Sequence, residues 1–177
     1  MQTHIETHRL ILRELEERDV QGIFDLDSDP EVHRYLGEQP IKRLQEAEAI
    51  IQYVRNQYEA DGIGRWAVIE KASQEFVGWA GLKFEREVRQ DMHYYDLGYR
   101  LKKKFWGKGI ATEAAREALA YGFQEMNLPK IYGGAHIDNI GSNKVLQKVG
   151  FTFLETFDYE DAPHHWYGLA RQDWQAK

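Results

Sequence analysis

The chain has 177 residues, 23 Lys plus Arg against 29 Asp plus Glu, a formal net charge of −6, and no cysteine. Disulfides, thiolate nucleophiles and cysteine-type zinc sites are therefore excluded, and an acidic total opposes broad nucleic-acid binding, which needs phosphate neutralisation. With 42% hydrophobic and 13% aromatic residues and no apolar run near the ~20 residues of a membrane span, the chain reads as a soluble protein of one domain, residues 1–177.

Met1 to Glu6 shows neither a basic n-region nor an apolar h-region, so no export signal is visible and a cytoplasmic location is expected. Arg9 to Leu15 is short and apolar between polar residues, a first strand. Glu16 to about Ser28 reads as helix, ended by the turn Ser28-Asp29-Pro30. Ala47, Ile50, Ile51, Val54 and Tyr58 recur at helical spacing until Asp61-Gly62. Trp66 to Ile69, Phe76 to Phe84 and His93 to Leu101 are β-rich runs between polar turns, predicted as consecutive antiparallel strands. From Gly107 to Met126 the period is helical again, with Ala111, Ala115, Ala118 and Gly122 on one face. Lys130 to Ile137 is a strand, and Ser142, Val145, Leu146 and Val149 line a short helix stopped by Gly150. Thr152 to Tyr159 and His165 to Ala170 flank the turn Glu160-Asp161-Ala162-Pro163. The order β-α-α-β-β-β-α-β-α-β-β predicts an α/β fold (an α+β mixed sheet) covered by helices, not a regular βα repeat.

Leu97 to Thr112 carries the chemistry. A strand leads through Lys102, Lys103 and Lys104 into Trp106-Gly107-Lys108-Gly109, which opens a helix. The first N–H groups of a helix lack partners and carry the positive end of its dipole, and glycines let a bulky anion approach them. That is a cradle for a phosphate or pyrophosphate. A Walker loop is absent, and a Rossmann fingerprint would need Gly or Ala where Thr112 stands. Asn139-Ile140-Gly141-Ser142-Asn143 to Lys148-Val149-Gly150-Phe151 is a second motif, placed after the next strand.

Together these segments resemble the GNAT N-acetyltransferase superfamily, in particular its RimJ/RimL-like branch. Trp106 to Ala111 is similar to that family's acyl-CoA loop, and Thr112-Glu113-Ala114 continues it. Asn139, Ser142, Lys148, Gly150 and Phe151 match the second motif, and Thr7 to Arg13 looks like the branch's first strand. The resemblance covers about residues 7–170. It implies a GNAT-like, mostly antiparallel central sheet with splayed middle strands and helices on both faces. It also implies acetyl-CoA as acyl donor, without a metal, and a primary amine as acceptor. By the same resemblance the backbone of Tyr99 and Leu101 pairs with the pantetheine amides, and Gly98 makes the bulge that splaying needs. The turn Trp106, Gly107, Lys108, Gly109, Ile110, Ala111 and Thr112 holds the pyrophosphate, Lys104 or a neighbouring lysine meets the 3′-phosphate, and Asn139 and Asn143 bond the arm.

The chain also departs from the pattern. Trp106 stands where the wider family often has Arg or Gln, so only main-chain contacts carry over there. Leu146 stands where many acetyltransferases have a proton-donating tyrosine, which leaves Ser142 as the branch's substitute or as a helix cap. Leu154 stands where relatives often carry a glutamate. Glu155 is adjacent, but neighbouring strand residues face opposite sides, which leaves Asp96 as the carboxylate on the slot strand. His164 and His165 likewise face opposite ways and do not form a metal site. The expected activity is direct acetyl transfer to a protein or peptide N-terminal α-amine. A small amine (polyamine, amino sugar, antibiotic) and a non-catalytic CoA-binding sensor are the alternatives, and monomer and homodimer are both open.

Overall fold

The computed structural model describes residues 3–176. The expected first strand is β2 (Leu10–Glu14), and an additional strand precedes it, β1 (His4–Glu6), paired antiparallel with β2. Three residues of mixed polarity gave no periodicity from which to read β1. The first helix is shorter than expected. Glu17–Asp19 is a 3₁₀ turn, and α1 (Val20–Asp27) begins only after it. Asp19 decides this, because its buried carboxylate accepts the Glu16 N–H at 2.8 Å and a two-pronged pair from Arg13.

The longest helix is α2 (Leu44–Asp61), with Ala47, Ile51 and Val54 buried. Its start is fixed by Glu46, whose carboxylate takes the N–H groups of Lys42 and Arg43. Gly62 ends it in the left-handed conformation at φ 70°. Then follow β3 (Trp66–Glu70), β4 (Phe76–Glu85), β5 (Tyr94–Leu101), α3 (Ile110–Ala120, continued by a π-type turn to Glu125) and β6 (Lys130–His136). The chain closes with α4 (Ile140–Lys148), β7 (Thr152–Tyr159) and β8 (Ala162–Ala170). Ala162 and Pro163, expected in the turn, belong to β8, and Glu160 and Asp161 form the turn by themselves with positive φ.

The eight strands form one sheet in the order β1-β2-β3-β4-β5-β6-β8-β7. Its neighbours are antiparallel except β5 and β6, which run parallel and register only at Asp96 opposite Tyr132. The sheet is therefore mixed and mostly antiparallel, with its middle strands splayed. Alternation along the strands divides the core. Leu10, Leu12, Trp66, Val68, Leu82 and Leu97 pack toward α3 and α4, while Ala67 and Ile69 pack toward α1 and α2. Among the described residues no helix is long and apolar enough to cross a membrane.

Candidate functional site

Beyond the Asp96–Tyr132 pair, β5 and β6 diverge and leave a slot open toward α3 and α4. The expected bulge at Gly98 is not there. β4 and β5 stay in register from Gly78–Leu101 to Glu85–Tyr94. Gly98 is small for another reason, since a Cβ there would lie 2.7 Å from Nη2 of Arg65. That guanidinium lies across the strand, donates to the carbonyls of Gly81 and Asp96, and pairs with the Asp96 carboxylate. The Lys102 N–H bonds Val77 of β4, so alternation turns the backbone groups of Tyr99 and Leu101 toward the slot. One of these groups is already engaged, because the Trp106 indole N–H donates to the Leu101 carbonyl at 2.8 Å.

The glycine turn follows. Phe105 is buried and anchors it, whereas Trp106 is 44% exposed. Gly107 and Gly109 have φ of 71° and 76°, which side chains adopt only under strain. Nothing lies within 4 Å of the point where a Cβ on Gly107 would stand, so a ligand has room to approach this backbone. Ile110 and Thr112 are buried, so what α3 offers an anion here is main-chain N–H. The turn is braced from a distance. Arg9 donates to the Lys108 carbonyl at 2.7 Å and pairs with Glu113, which also accepts from Thr7. Burial raises the Glu113 carboxyl, but the bonds from Thr7 and Arg9 outweigh it and hold the group below its ordinary range. The Thr7-His8-Arg9 segment thus acts through the turn and not only as a strand start.

The three lysines lie among carboxylates. Lys104 pairs with Glu75, Lys102 lies near Asp25 and Glu75, and Lys103 lies 3.9 Å from Glu31. These ammonium groups answer carboxylates around α1 and the β3–β4 turn, and the separations are not visible from three adjacent lysines. Lys108, on the turn itself, lies 5.5 Å from the Phe105 ring centroid and makes no ion pair among the described residues.

At α4 the roles are redistributed. Asn139 is the N-cap, its Oδ1 accepting the Ser142 N–H at 3.1 Å; its amide group is left for a ligand. Asn143 has no such capacity. Its Nδ2 donates to the carbonyls of His136 and Asn139, and its Oδ1 accepts from Tyr167 and contacts His165. The expectation that Asn143 bonds the pantetheine arm is therefore not met, because a buried amide this fully used has no free donor or acceptor. Leu146 is buried and would lie 2.9 Å from a Cβ on Gly133, so it is core packing beside the slot.

Ser142 is not the cap. Its hydroxyl is 3.1 Å from the Tyr99 hydroxyl, which also donates to the Ser142 carbonyl at 2.9 Å. Burial pushes the Tyr99 phenol up, so it is a poor source of protons to relay through Ser142. A thiolate near the cysteine range of ~8.5 needs little more than a hydrogen bond to leave. Two variants separate capping from chemistry. Asn139→Ala should cost about 0.5–2 kcal/mol in urea unfolding, as N-cap losses do. Ser142→Ala should cost less and lower single-turnover rates only a few-fold. A larger stability loss for Ser142→Ala, or a rate loss in the 10²-fold range of acid–base groups, contradicts this.

The opposite face of the same strands carries a second group of polar residues. Asp96 sits where the slot closes, and burial raises its carboxyl above the ordinary range against the opposing charge of Arg65. Two pleat repeats further along β5, Arg100 pairs with Asp27, which is only 1% exposed. Trp79 lies between the two guanidiniums, 5.4 Å from Arg65 and 5.1 Å from Arg100. The strict alternation expected for β7 is broken. Phe153 faces Tyr167, but Glu155 faces Trp166, so Leu154 is the extra residue of a bulge. Glu155 is thereby returned to the side occupied by Trp166, where it pairs with Arg89 at 2.6 Å. Sequence alternation alone placed it on the other side.

The family profile described as an acetyltransferase (GNAT) domain matches residues 9–152. YoaA of Bacillus subtilis (strain 168), named an uncharacterized N-acetyltransferase, is 31% identical over 147 residues, 83% of this chain and 81% of that one. Spermidine N(1)-acetyltransferase of Escherichia coli (strain K12) is 29% identical over 146 residues, 82% of this chain and 74% of that one. The crystal structure of a GNAT-family acetyltransferase from Bacillus anthracis superposes with a TM-score of 0.78 at 24% identity, covering 96% and 99% of the two chains.

Proposed function

The chain belongs to the GNAT acetyltransferase family and is an acyl-CoA-dependent N-acetyltransferase; on that premise we propose that its acceptor is the α-amine of a protein or peptide, acetylated in the cytoplasm as in the RimJ/RimL-like branch. Acetyl-CoA is the acyl donor. The residues fit it: nothing lies near the Gly107 Cβ position, so the Gly107–Gly109 turn has room for a diphosphate, and the slot-facing amides of Tyr99 and Leu101 would polarise a thioester carbonyl.

One observation carries the choice of acceptor. Two carboxylates beside the slot on the acceptor face are paired with arginines, Asp96 with Arg65 and the sealed Asp27 with Arg100. A polyamine brings further ammonium groups that need unpaired carboxylates close by, whereas a peptide α-amine does not. Magnitudes point the same way. An α-amine with pKa near ~7.8 is roughly 14% neutral at pH 7, and a lysine-like amine near ~10.4 about 0.04%, a difference of roughly 3–3.5 kcal/mol. A site whose carboxylates are held by arginines serves the first more readily.

A small-amine acceptor is favoured instead by the exposed carboxylates of Asp158, near the end of β7, and of Glu160 and Asp161 in the turn after it, and spermidine is the substrate named for one relative. Thiol release measured with a panel of short peptides, free lysine, spermidine and an amino sugar decides between them. The peptides should give the highest kcat/KM, by at least tenfold. Spermidine exceeding them would overturn the α-amine reading and leave the acetyltransferase activity standing.

A further inference from the structure

On β6 and β8, His136 and His164 are directly opposed, and both side chains lie on the acceptor face. Their ring centroids are 5.5 Å apart. His136 ends the slot strand β6, so this pair stands at the wide end of the slot. Tyr35, from the connection between α1 and α2, covers His136 with ring centroids 5.5 Å apart, and Phe157 and Tyr159 of β7 flank His164.

The two imidazoles are held in opposite states. Nδ1 of His164 lies 2.9 Å from the Ala162 carbonyl, which can only accept, so the ring proton is on Nδ1 and the Nε2 lone pair is bare. Nε2 has no protein partner among the described residues and is not sealed from solvent. Nδ1 of His136 instead accepts the Asp138 N–H at 3.1 Å, which puts its proton on Nε2. An acceptor and a donor thus lie side by side on one face.

We propose that His164 is the general base of the acetyl transfer, taking a proton from the acceptor ammonium at Nε2, with His136 beside it as a hydrogen-bond donor. The inference rests on the acetyltransferase activity and not on which amine is the acceptor. Burial lowers the His164 pKa, with a further contribution from His136, so the ring is neutral and basic at pH 7. The groups near it are His136 from β6, Tyr159 from β7 and Glu160 from the turn, with Asp158 on the other face of β7; Tyr35 stands behind His136.

In the step itself, R–NH₃⁺ gives one proton to His164, and the freed nitrogen pair attacks the thioester carbonyl carbon. As the C–N bond forms, the C–S bond breaks and its electron pair goes to sulfur. The second nitrogen proton ends on the thiolate, directly or through water. His164 then releases its proton to solvent.

His164→Asn tests this, because the asparagine amide retains a donor for the Ala162 carbonyl and supplies no base. Measured with an amine that the wild type acetylates, kcat/KM at pH 7 should fall by about 10²-fold or more. The shape of the profile is the decisive readout. Wild-type kcat/KM should level off above the lowered His164 pKa, below ~6.5, while the variant should keep rising to the pKa of the amine itself, so that the gap narrows. Acetyl-CoA affinity by calorimetry should be unchanged. Added imidazole should restore turnover in His164→Ala, an outcome that packing alone does not produce.

A His164→Asn profile with the wild-type plateau and a rate within a few-fold would overturn the proposal. So would Asp96→Asn removing the plateau while His164→Asn keeps it. A wild-type protein that binds acetyl-CoA but acetylates no amine would overturn the activity itself.

Discussion

Gly109→Glu should weaken acetyl-CoA binding by 10²–10⁴-fold in a calorimetric titration and lower kcat/KM in step. Gly109 is the N-cap residue of α3, with φ of 76°, so any side chain there is strained before it meets a ligand. The new carboxylate would stand against the anion that the turn receives. Charge-assisted hydrogen bonds contribute roughly 1.5–3 kcal/mol each, and losing two corresponds to the predicted range. Arg9 is near, its Nη2 3.5 Å from the Cβ position, but it is already committed to Glu113 and the Lys108 carbonyl. Gly109→Ala is the control, because it adds the backbone strain without the charge and should cost far less affinity. Circular dichroism checks that both variants fold. Unchanged acetyl-CoA affinity in a folded Gly109→Glu variant would remove this turn from the binding site.

Arg65→Ala should be the most destabilising of these substitutions, by about 3–5 kcal/mol, the range for breaking a buried ion pair from one side. The Arg65 and Asp96 side chains are only 12% and 18% exposed. Removing the guanidinium leaves Asp96 without its counter-ion, takes a donor from the Gly81 carbonyl at 2.6 Å, and opens the space above Gly98. The loss should depend on pH in a definite sense. Burial already raises the Asp96 carboxyl, and without Arg65 it rises further above its unfolded value. The folded variant then binds a proton that the unfolded chain does not hold, so its stability falls as pH rises through the folded pKa. The deficit against wild type should therefore be largest near neutral pH and shrink toward pH 5. Urea unfolding at both values measures it. A deficit under about 1 kcal/mol, or one unchanged by pH, would show that the pair contributes little.

The elements that the amino-acid pattern made legible are those whose stability is local. Apolar spacing marked α2 and α3, β-rich runs between turns marked β3 to β5, and Gly150 marked the end of α4. The Gly107–Gly109 turn was readable for the same reason, since glycines and a helix start suit an anion cradle within a few residues. β1 was missed because three residues carry no period, and the extra residue at Leu154 because a bulge shows only against its partner strand.

Side-chain partnership is a different matter. Asn143 reads as a pantetheine ligand until Tyr167 and His165 are found on its oxygen. Gly98 reads as a bulge until Arg65 is seen across it. The roles of His136 and His164 depend on which backbone group each Nδ1 meets, and those groups lie two residues away along the chain in opposite senses. By itself, the sequence determined the order of most elements and the place of the glycine turn, because backbone preference and periodicity act over short separations, and its two motifs carried the resemblance to the family. Only the tertiary structure decided which polar groups remain free to act, because hydrogen-bonding capacity is used up by neighbours that the fold brings together from distant positions.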